Sequence, residues 1–159
     1  MEKEMPFEIE YACALTGHRT LTADFPREKL LRILLTLITQ KKVTRFFCGM
    51  ALGFDLTVCE MLLSLQADFP QIQVVACIPC PEQAAKFSEV NKRKYEGMVA
   101  LCNEKIVLSP QYTPYCMHVR NRYMVEQAKY LLCYLRKTSG GTASTVNYAQ
   151  KLGREIINL

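Results

Sequence analysis

The chain has 159 residues, of which 50% are hydrophobic and 22% are charged, and its formal net charge is +5. This size suits one domain of residues 1–159 around a single core, with residues 1–8 loosely ordered, and the composition excludes a disordered or fibrous protein. The longest apolar segment, residues 30–38, is too short to span a bilayer, and residues 1–6 lack the apolar stretch of a signal peptide, so we expect a cytoplasmic protein without a membrane partner.

The first half of the chain alternates between strand-like and helix-like segments. The apolar run at residues 9–15 predicts a strand, and residues 27–40 carry apolar side chains at helical spacing. Residues 44–48 predict a second strand, and residues 55–68 predict a helix that is apolar on nearly every face. Residues 72–78 are apolar at consecutive positions, which is typical of a parallel strand covered on both faces.

The alternation continues in the second half. Residues 82–102 predict a helix, either continuous or divided near residues 88–91. The remaining elements are a strand at 105–108, a helix at 117–129, a strand at 130–135, a helix at 142–152 and a strand at 155–159. Gly153 stands where a helix C-cap belongs.

This order predicts an α/β fold: a single-domain, Rossmann-like, doubly wound and mainly parallel sheet of about six strands with helices on both faces. Ligands of such sheets bind beyond the carboxyl ends of the strands, where the strand order reverses. Glycine-bearing loops at residues 16–19, 49–55 and 139–142 follow three of the predicted strands. Because a helix N-terminus attracts anions, we expect these loops to converge on one phosphorylated ligand.

The last of these loops contains two adjacent glycines, Gly140 and Gly141, which permit close backbone approach to a ligand. Thr142 can bond a phosphate oxygen, or it can act as the N-cap of the helix behind a simple glycine turn. The loop does not match the P-loop pattern of ATPases.

The first two loops carry side chains suited to chemistry. Gly17, His18 and Arg19 follow the first strand, and Arg19 can clamp a phosphate through two hydrogen bonds. His18 is either an acid–base group or a structural hydrogen-bonding residue. Asp55 falls in the first turn of a helix, where a carboxylate serves either as a cap or as an acceptor for a ribose or base.

The helix at residues 117–129 places Asn121 within its apolar stripe. A buried amide needs partners, which are either the ends of neighbouring strands or the ligand. Arg120 beside it is either a phosphate contact or a surface arginine. The basic run at residues 92–94 fits a solvated helix face better than a nucleic-acid contact.

The eight cysteines predict reduced core thiols rather than disulfides. They fall in predicted strands or among apolar residues of helices, as Cys13, Cys48, Cys59, Cys77, Cys102 and Cys133 do. Cys77 and Cys80 form a close pair that resembles half of a zinc or redox site, with Cys116 and His118 as further candidate ligands. A second close pair is missing, so we expect no metal, and Cys80 alone is a candidate reactive thiol without an assigned base.

Five motifs occur together in a fixed order. They are Thr-Gly-His-Arg at 16–19, Cys-Gly-Met-Ala-x-Gly-x-Asp at 48–55, Ile-Pro-Cys-Pro-x-Gln at 78–83, Arg-Asn-Arg-Tyr-Met-Val at 120–125 and Gly-Gly-Thr-x-x-Thr at 140–145. In combination they resemble the YpsA-like branch of the SLOG superfamily, a bacterial group whose members mostly have no established activity. The superfamily also includes the DNA-processing protein DprA and the LOG enzymes. The resemblance runs from about Cys13 to the C-terminus.

The resemblance implies a Rossmann-like fold that binds a nucleotide or a nucleotide-derived ligand. We expect no cofactor. Carried over to this sequence, the implied ligand contacts are Gly17, Arg19, Gly49, Gly53, Asp55, Asn121, Gly140, Gly141 and Thr142. The predicted binding set also takes in neighbouring positions, namely Thr16, His18, Met50, Pro79, Arg120 and Thr145.

One departure from the LOG enzymes concerns catalysis. Their Pro-Gly-Gly-x-Gly-Thr-x-x-Glu motif ends in a glutamate that acts at the sugar, and Thr145 occupies that position here. A threonine cannot stabilise the positive charge that develops on ribose. The remaining candidate catalytic residues are Asp55, Glu82 and His18.

Three functions follow from these residues. The first is binding or sensing of a nucleotide-like small molecule, and the second is enzymatic hydrolysis of an N-glycosidic or phosphoester bond, with Asp55 as the carboxylate and Arg19 as the phosphate anchor. The third, which is not favoured, is DprA-like binding of single-stranded DNA through Arg19, Arg120 and Arg122. The apolar helix at 55–68 fits either the core of one domain or the interface of a homodimer.

Overall fold

The computed structural model describes residues 7–159, with residues 7 and 8 described through their backbone alone. The elements in chain order are α1 (Phe7–Glu10), β1 (Ala12–Gly17), α2 (Arg27–Thr39), β2 (Arg45–Cys48), α3 (Phe54–Leu65), β3 (Gln73–Ile78), α4 (Glu89–Leu101), β4 (Glu104–Val107), α5 (Cys116–Glu126), β5 (Tyr130–Tyr134), α6 (Gly141–Lys151) and β6 (Glu155–Asn158). Loose order was predicted for residues 1–8: residues 1–6 lie outside the described residues, and the backbone of residues 7 and 8 belongs to α1. No helix within 7–159 combines the length and apolarity that crossing a membrane requires.

The six strands form one sheet in the order β4-β3-β2-β1-β5-β6, and every neighbouring pair is parallel. The chain moves outward from β1 to β4 and then crosses back to place β5 beside β1. The strand order therefore reverses between β1 and β5, where Gly17 lies opposite Tyr134. This arrangement confirms the predicted doubly wound α/β fold and leaves a crevice at the carboxyl ends of these strands.

Helices cover both faces of the sheet. Leu30 of α2, Leu62 of α3 and Met98 of α4 belong to one buried cluster, whereas Val125 of α5 and Ala149 of α6 belong to the other. In β3 every residue after the first is buried, as the consecutive apolar positions predicted. A strand between two helical layers has no solvent face, and this explains the absence of polar alternation.

The cysteines follow the same burial pattern. All eight are free, and all except the half-buried Cys102 are buried. Cys102 follows α4 directly rather than lying within it, and its Sγ is 3.9 Å from that of Cys59. Burial raises the pKa of Cys13 to about 12, as expected for a thiol that acts as a small hydrophobic group.

Two predicted starts of elements are wrong, and two predicted helices end three residues early, α3 at Leu65 and α5 at Glu126. The first strand was predicted from residue 9, but Ile9 and Glu10 end the short helix α1, and the Ile9 carbonyl accepts a hydrogen bond from the Lys129 amide rather than joining the sheet. The predicted helix at 82–102 begins only at Glu89, because residues 82–87 form consecutive turns. Ser88 is the N-cap of α4.

The end of α6 matches its prediction. Gly153 has φ of +70°, and its amide bonds the Gln150 carbonyl, while the Arg154 amide bonds the Ala149 carbonyl. These two bonds define a Schellman motif, for which glycine is the preferred residue because it adopts positive φ without steric cost.

Candidate functional site

A cavity of about 1130 Å³ lies at the carboxyl ends of β1, β2 and β5, where the strand order reverses. Its walls are the loop after β1, the start of α3, the first half of α5, and the segment from β5 into α6. Ten of the fifteen residues in the predicted binding set line it: Thr16, Gly17, His18, Arg19, Asp55, Arg120, Asn121, Gly140, Gly141 and Thr142. The three glycine loops therefore meet at one cleft, as their sequence predicted.

Two of the predicted glycines serve contact between loops. A Cβ at Gly17 would collide with the Phe54 side chain, and a Cβ at Gly53, whose φ is +82°, would collide with the Arg19 carbonyl. The Phe54 amide donates to the His18 carbonyl at 3.1 Å. The loops after β1 and β2 are thus joined to each other, which fixes the position of His18 and Arg19 in the cleft.

The other predicted residues outside the cavity support it from behind. Met50 is fully buried with φ of +63°, and the Pro79 carbonyl accepts a hydrogen bond from the Ser109 amide at 3.1 Å. Thr145 is buried, and its hydroxyl donates to the Gly141 carbonyl at 2.8 Å. Glu82 is exposed and does not line the cleft, so the structure brings neither Glu82 nor Thr145 to the candidate ligand site.

The start of α6 faces the cleft without a side-chain cap. Gly140 is the N-cap residue, with φ of +101°, so the alternative in which Thr142 caps the helix is wrong. A Cβ placed at Gly140 or Gly141 would meet no atom within 4 Å apart from chain neighbours and the backbone of α6. Both glycines and Thr142 line the cleft, so the start of α6 borders open space, where the helix dipole favours a negatively charged group.

Arg120 lies inside the protein with only 4% of its surface exposed, so the alternative of a surface arginine is wrong. Its Nε donates to Asn121 Oδ1 at 2.7 Å, and its Nη1 donates to the carbonyls of Gly49 and Cys77. Because these carbonyls lie at the ends of β2 and β3, Arg120 ties α5 to the central sheet. The partner of half-buried Asn121 is thus Arg120 rather than a strand end.

Asp55 is the second buried charged residue of the cleft, with 6% of its surface exposed. Its Oδ2 accepts a hydrogen bond from the Ala51 amide at 3.2 Å, but its Oδ1 has no partner among the described residues. Burial raises the pKa of Asp55 from 3.8 to about 6, although Arg120 and the Ala51 amide oppose this change. A Cβ at Gly49 would lie 2.8 Å from Asp55 Oδ2 and 3.0 Å from Arg120 Cζ, so Gly49 gives both side chains their space.

His18 makes a structural contact. Its Nε2 accepts a hydrogen bond from the Arg136 amide at 2.8 Å, and its ring meets the Tyr134 ring edge-on at 5.7 Å between centroids. Burial, followed by the nearby Lys137 and Arg136 cations, lowers the pKa of His18. A neutral imidazole is therefore favoured, and it joins the loops after β1 and β5.

The cleft is more basic than the sequence indicated. Its lining contains five cationic side chains and two acidic ones: Arg19, Lys29, Arg120, Arg136 and Lys137 against Asp24 and Asp55. Sequence reasoning missed Arg136 and Lys137, although they follow β5 directly, at the same edge of the sheet as the predicted loops. It also missed Lys29 and Asp24, which the loop and helix after β1 bring to the cleft.

Other sequence candidates lie elsewhere. The basic run at residues 92–94 is on α4, where Lys94 pairs with Glu60 at 3.0 Å, and it does not line the cleft. Burial raises the pKa of Cys80 to about 11, with Cys116 as a neighbour, which disfavours a reactive thiolate. Within residues 7–159 no three His, Cys, Asp or Glu side chains are grouped to hold a metal ion.

Comparison with known proteins gives matches over most of the chain. The sequence model of the YpsA family, described as the YspA SLOG family, matches residues 23–155. The chain is 28% identical over 147 residues to the uncharacterized SPbeta prophage-derived protein YoqJ of Bacillus subtilis, covering 84% of this chain and 86% of YoqJ. It is 33% identical over 103 residues to a UPF0398 protein of Bacillus licheniformis, covering 63% of this chain and 56% of that protein.

Solved structures of DprA have a similar fold. The protein from Streptococcus pneumoniae aligns with a TM-score of 0.65 and 16% identity over 92% of this chain and 49% of DprA. A Helicobacter pylori DprA structure, which describes a single-stranded DNA binding mode, aligns with a TM-score of 0.64 and 16% identity over 94% of this chain and 65% of DprA. The chain therefore spans about half to two thirds of these proteins, and the similarity is one of fold.

Proposed function

The chain belongs to the YspA SLOG family, and on this premise we propose that it binds a nucleotide or a nucleotide-derived phosphorylated ligand, as a cytoplasmic binding or sensor protein. The observation that carries the proposal is the uncapped start of α6, which opens into a cleft lined by five cations and two acids. Backbone amides at a helix N-terminus are a general anion site.

The charges around α6 suit a phosphate group. Arg136 and Lys137 are exposed on the segment that leads into the helix, and Arg19 is exposed on the opposite loop. The Arg19 guanidinium contacts Met117 Sδ at 3.1 Å through Nη2. Its remaining N–H groups are available for a phosphate, which arginine binds in a bidentate manner.

The size of the cleft supports a ligand larger than inorganic phosphate. Its volume of about 1130 Å³ slightly exceeds the upper end of the range of about 300–1,000 Å³ for small-molecule pockets. A phosphate held at α6 leaves space for a sugar and a base along the edge of the sheet, between the ends of β5 and β2.

Isothermal titration calorimetry with nucleoside mono-, di- and triphosphates, ADP-ribose and NAD tests the proposal, with Gly141→Ala as the decisive variant. The added methyl group meets no atom within 4 Å apart from chain neighbours and the backbone of its own helix, but it occupies space next to the amides that would hold a phosphate. We expect the dissociation constant to rise at least about tenfold, because the anion can no longer approach the helix.

Gly97→Ala is the matched control, since its Cβ also meets nothing within 4 Å and α4 lies outside the cleft. It should stabilise the helix by about 1 kcal/mol and leave binding unchanged. Absence of any heat signal or thermal shift at millimolar concentrations of the whole panel would reject the proposed function.

Binding of single-stranded DNA is the second candidate, favoured by the similarity to DprA and by the basic cleft. An oligonucleotide held by these cations should bind tightly at low salt and weaken steeply as salt is added, because phosphate contacts release counterions. Fluorescence anisotropy with a labelled oligothymidylate between about 20 mM and about 300 mM salt, over which the Debye length falls about fourfold, separates this candidate from the first. No change in anisotropy at the lowest salt would exclude it.

A further inference from the structure

The Asp55 carboxyl group is incompletely bonded although it is buried. Oδ2 accepts the Ala51 amide, while Oδ1 lacks a donor among residues 7–159. Buried polar atoms in folded proteins nearly always have a partner, so an exception at a cleft calls for a physical reason. Asp55 borders the cleft in which we propose that the ligand binds.

The nearby cations do not supply the missing donor. Arg120 directs its Nε and Nη1 to Asn121 and to the carbonyls of Gly49 and Cys77. In the described part of the chain no nitrogen of Arg120 or Arg19 lies within 4.0 Å of an Asp55 oxygen. The two arginines favour the charged form of the carboxylate without filling its hydrogen-bonding capacity.

The electrostatics indicate which part of a nucleotide lies beside Asp55. A phosphate is repelled by the carboxylate and attracted to the amides of α6, so the group near Asp55 must be uncharged and must donate hydrogen bonds. Asp55 follows β2 and the start of α6 follows β5, with β1 between them. Two strand spacings separate these strands by about 10 Å, which a nucleoside phosphate can span.

Resting on the proposed function, we propose that the Asp55 carboxylate accepts hydrogen bonds from the ribose hydroxyls of the ligand, so that the site selects ribonucleotides over deoxyribonucleotides. Ribose is the first uncharged donor that follows the phosphate in every nucleotide. A carboxylate offers two adjacent acceptors, which match a pair of vicinal hydroxyls. A single strand of DNA lacks this pair and would leave Oδ1 without a donor.

The experiment compares the four ribonucleoside 5′-monophosphates with their 2′-deoxy and 3′-deoxy counterparts by calorimetry at pH 7.5. The wild-type protein should bind the ribonucleotides at least about tenfold more tightly, because a site built to bond a hydroxyl rejects the analogue that lacks it. Asp55→Asn should bring the ratio close to one by weakening ribonucleotide binding. Asp68→Asn is the matched control, since Asp68 is an exposed aspartate outside the cleft, and it should keep the wild-type ratio.

Each outcome has one meaning. Equal affinity of the wild-type protein for ribonucleotides and deoxyribonucleotides overturns the role of Asp55 at the sugar and leaves the proposed function intact. A preference for AMP over IMP that Asp55→Asn abolishes, with an unchanged deoxy ratio, also overturns it and assigns Asp55 to the base. Failure of every phosphate to bind rejects the proposed function and this inference together.

Discussion

Replacing Asp55 with asparagine should stabilise the unliganded protein at neutral pH. The two side chains have the same shape, and the asparagine oxygen can still accept the hydrogen bond of the Ala51 amide. The substitution removes a charge from a position with 6% exposure. The expected gain in the free energy of unfolding equals the cost of keeping this buried carboxylate charged in the folded protein.

The magnitude follows from the pKa of Asp55, which burial raises from 3.8 to about 6 in the folded state. At about 1.4 kcal/mol for each pH unit, this difference corresponds to about 3 kcal/mol. Because the folded pKa lies above the unfolded one, the folded state prefers the protonated carboxyl. The stabilisation that this preference gives the folded state is fully present below pH 3.8 and is lost as the pH rises through about 6.

Urea unfolding of both proteins at a series of pH values between 4 and 7.5 measures the effect. The stability of Asp55→Asn relative to the wild-type protein should increase by about 2 kcal/mol across this range, because part of the full difference of about 3 kcal/mol is already present at pH 4. Asp24→Asn serves as the control, because a hydrogen bond from Thr22 lowers the pKa of the exposed Asp24 and the difference should take the opposite sign. A relative stability of Asp55→Asn that stays constant from pH 4 to pH 7.5 would refute the reasoning.

Three further substitutions test two contacts that support the cleft and the N-cap of α4. Gly53→Ala should lower the free energy of unfolding by at least about 3 kcal/mol, because φ is +82° and the methyl group meets the Arg19 carbonyl. A loss below about 1 kcal/mol in urea unfolding would contradict the close contact. Lowering the pH should protonate His18 and break its bond to the Arg136 amide. The wild-type protein should therefore lose stability as the pH falls through the lowered pKa of His18, whereas the His18→Phe variant should not. Identical acid dependence of the two proteins would exclude this bond. Ser88→Ala should cost α4 about 1 kcal/mol through loss of its N-cap, and an unchanged unfolding midpoint would show that the cap contributes nothing.

The sequence was most informative where a local pattern has a single physical cause. Consecutive apolar residues in β3 predicted a strand buried on both faces, and Gly153 predicted the end of α6. The converging loops were predicted because parallel strands present their carboxyl ends at one edge of a sheet. These features depend on neighbours along the chain or on topology alone.

Other features depend on contacts between distant segments. The motif glycines Gly17 and Gly53 looked like phosphate-loop residues, whereas the structure shows that they allow two loops to touch. Asp55 is in the first turn of a helix, as predicted, but the cation that most favours its charged form is Arg120, which is 65 residues away along the chain. Within the turns at residues 82–87, the Gln83 side chain donates a hydrogen bond to the Gly49 carbonyl at 2.8 Å, a long-range contact that hydrophobic periodicity cannot predict.

The bond between the Phe54 amide and the His18 carbonyl has a consequence for how the protein adapts to its ligand. It joins the loops after β1 and β2 into one stiff wall, which is formed before any ligand arrives. Under the proposed function, ligands of different length would be accommodated by the opposite wall, residues 135–140, which is largely exposed. The stiff wall would therefore determine which ligands bind, while the opposite wall would allow phosphate chains of different length.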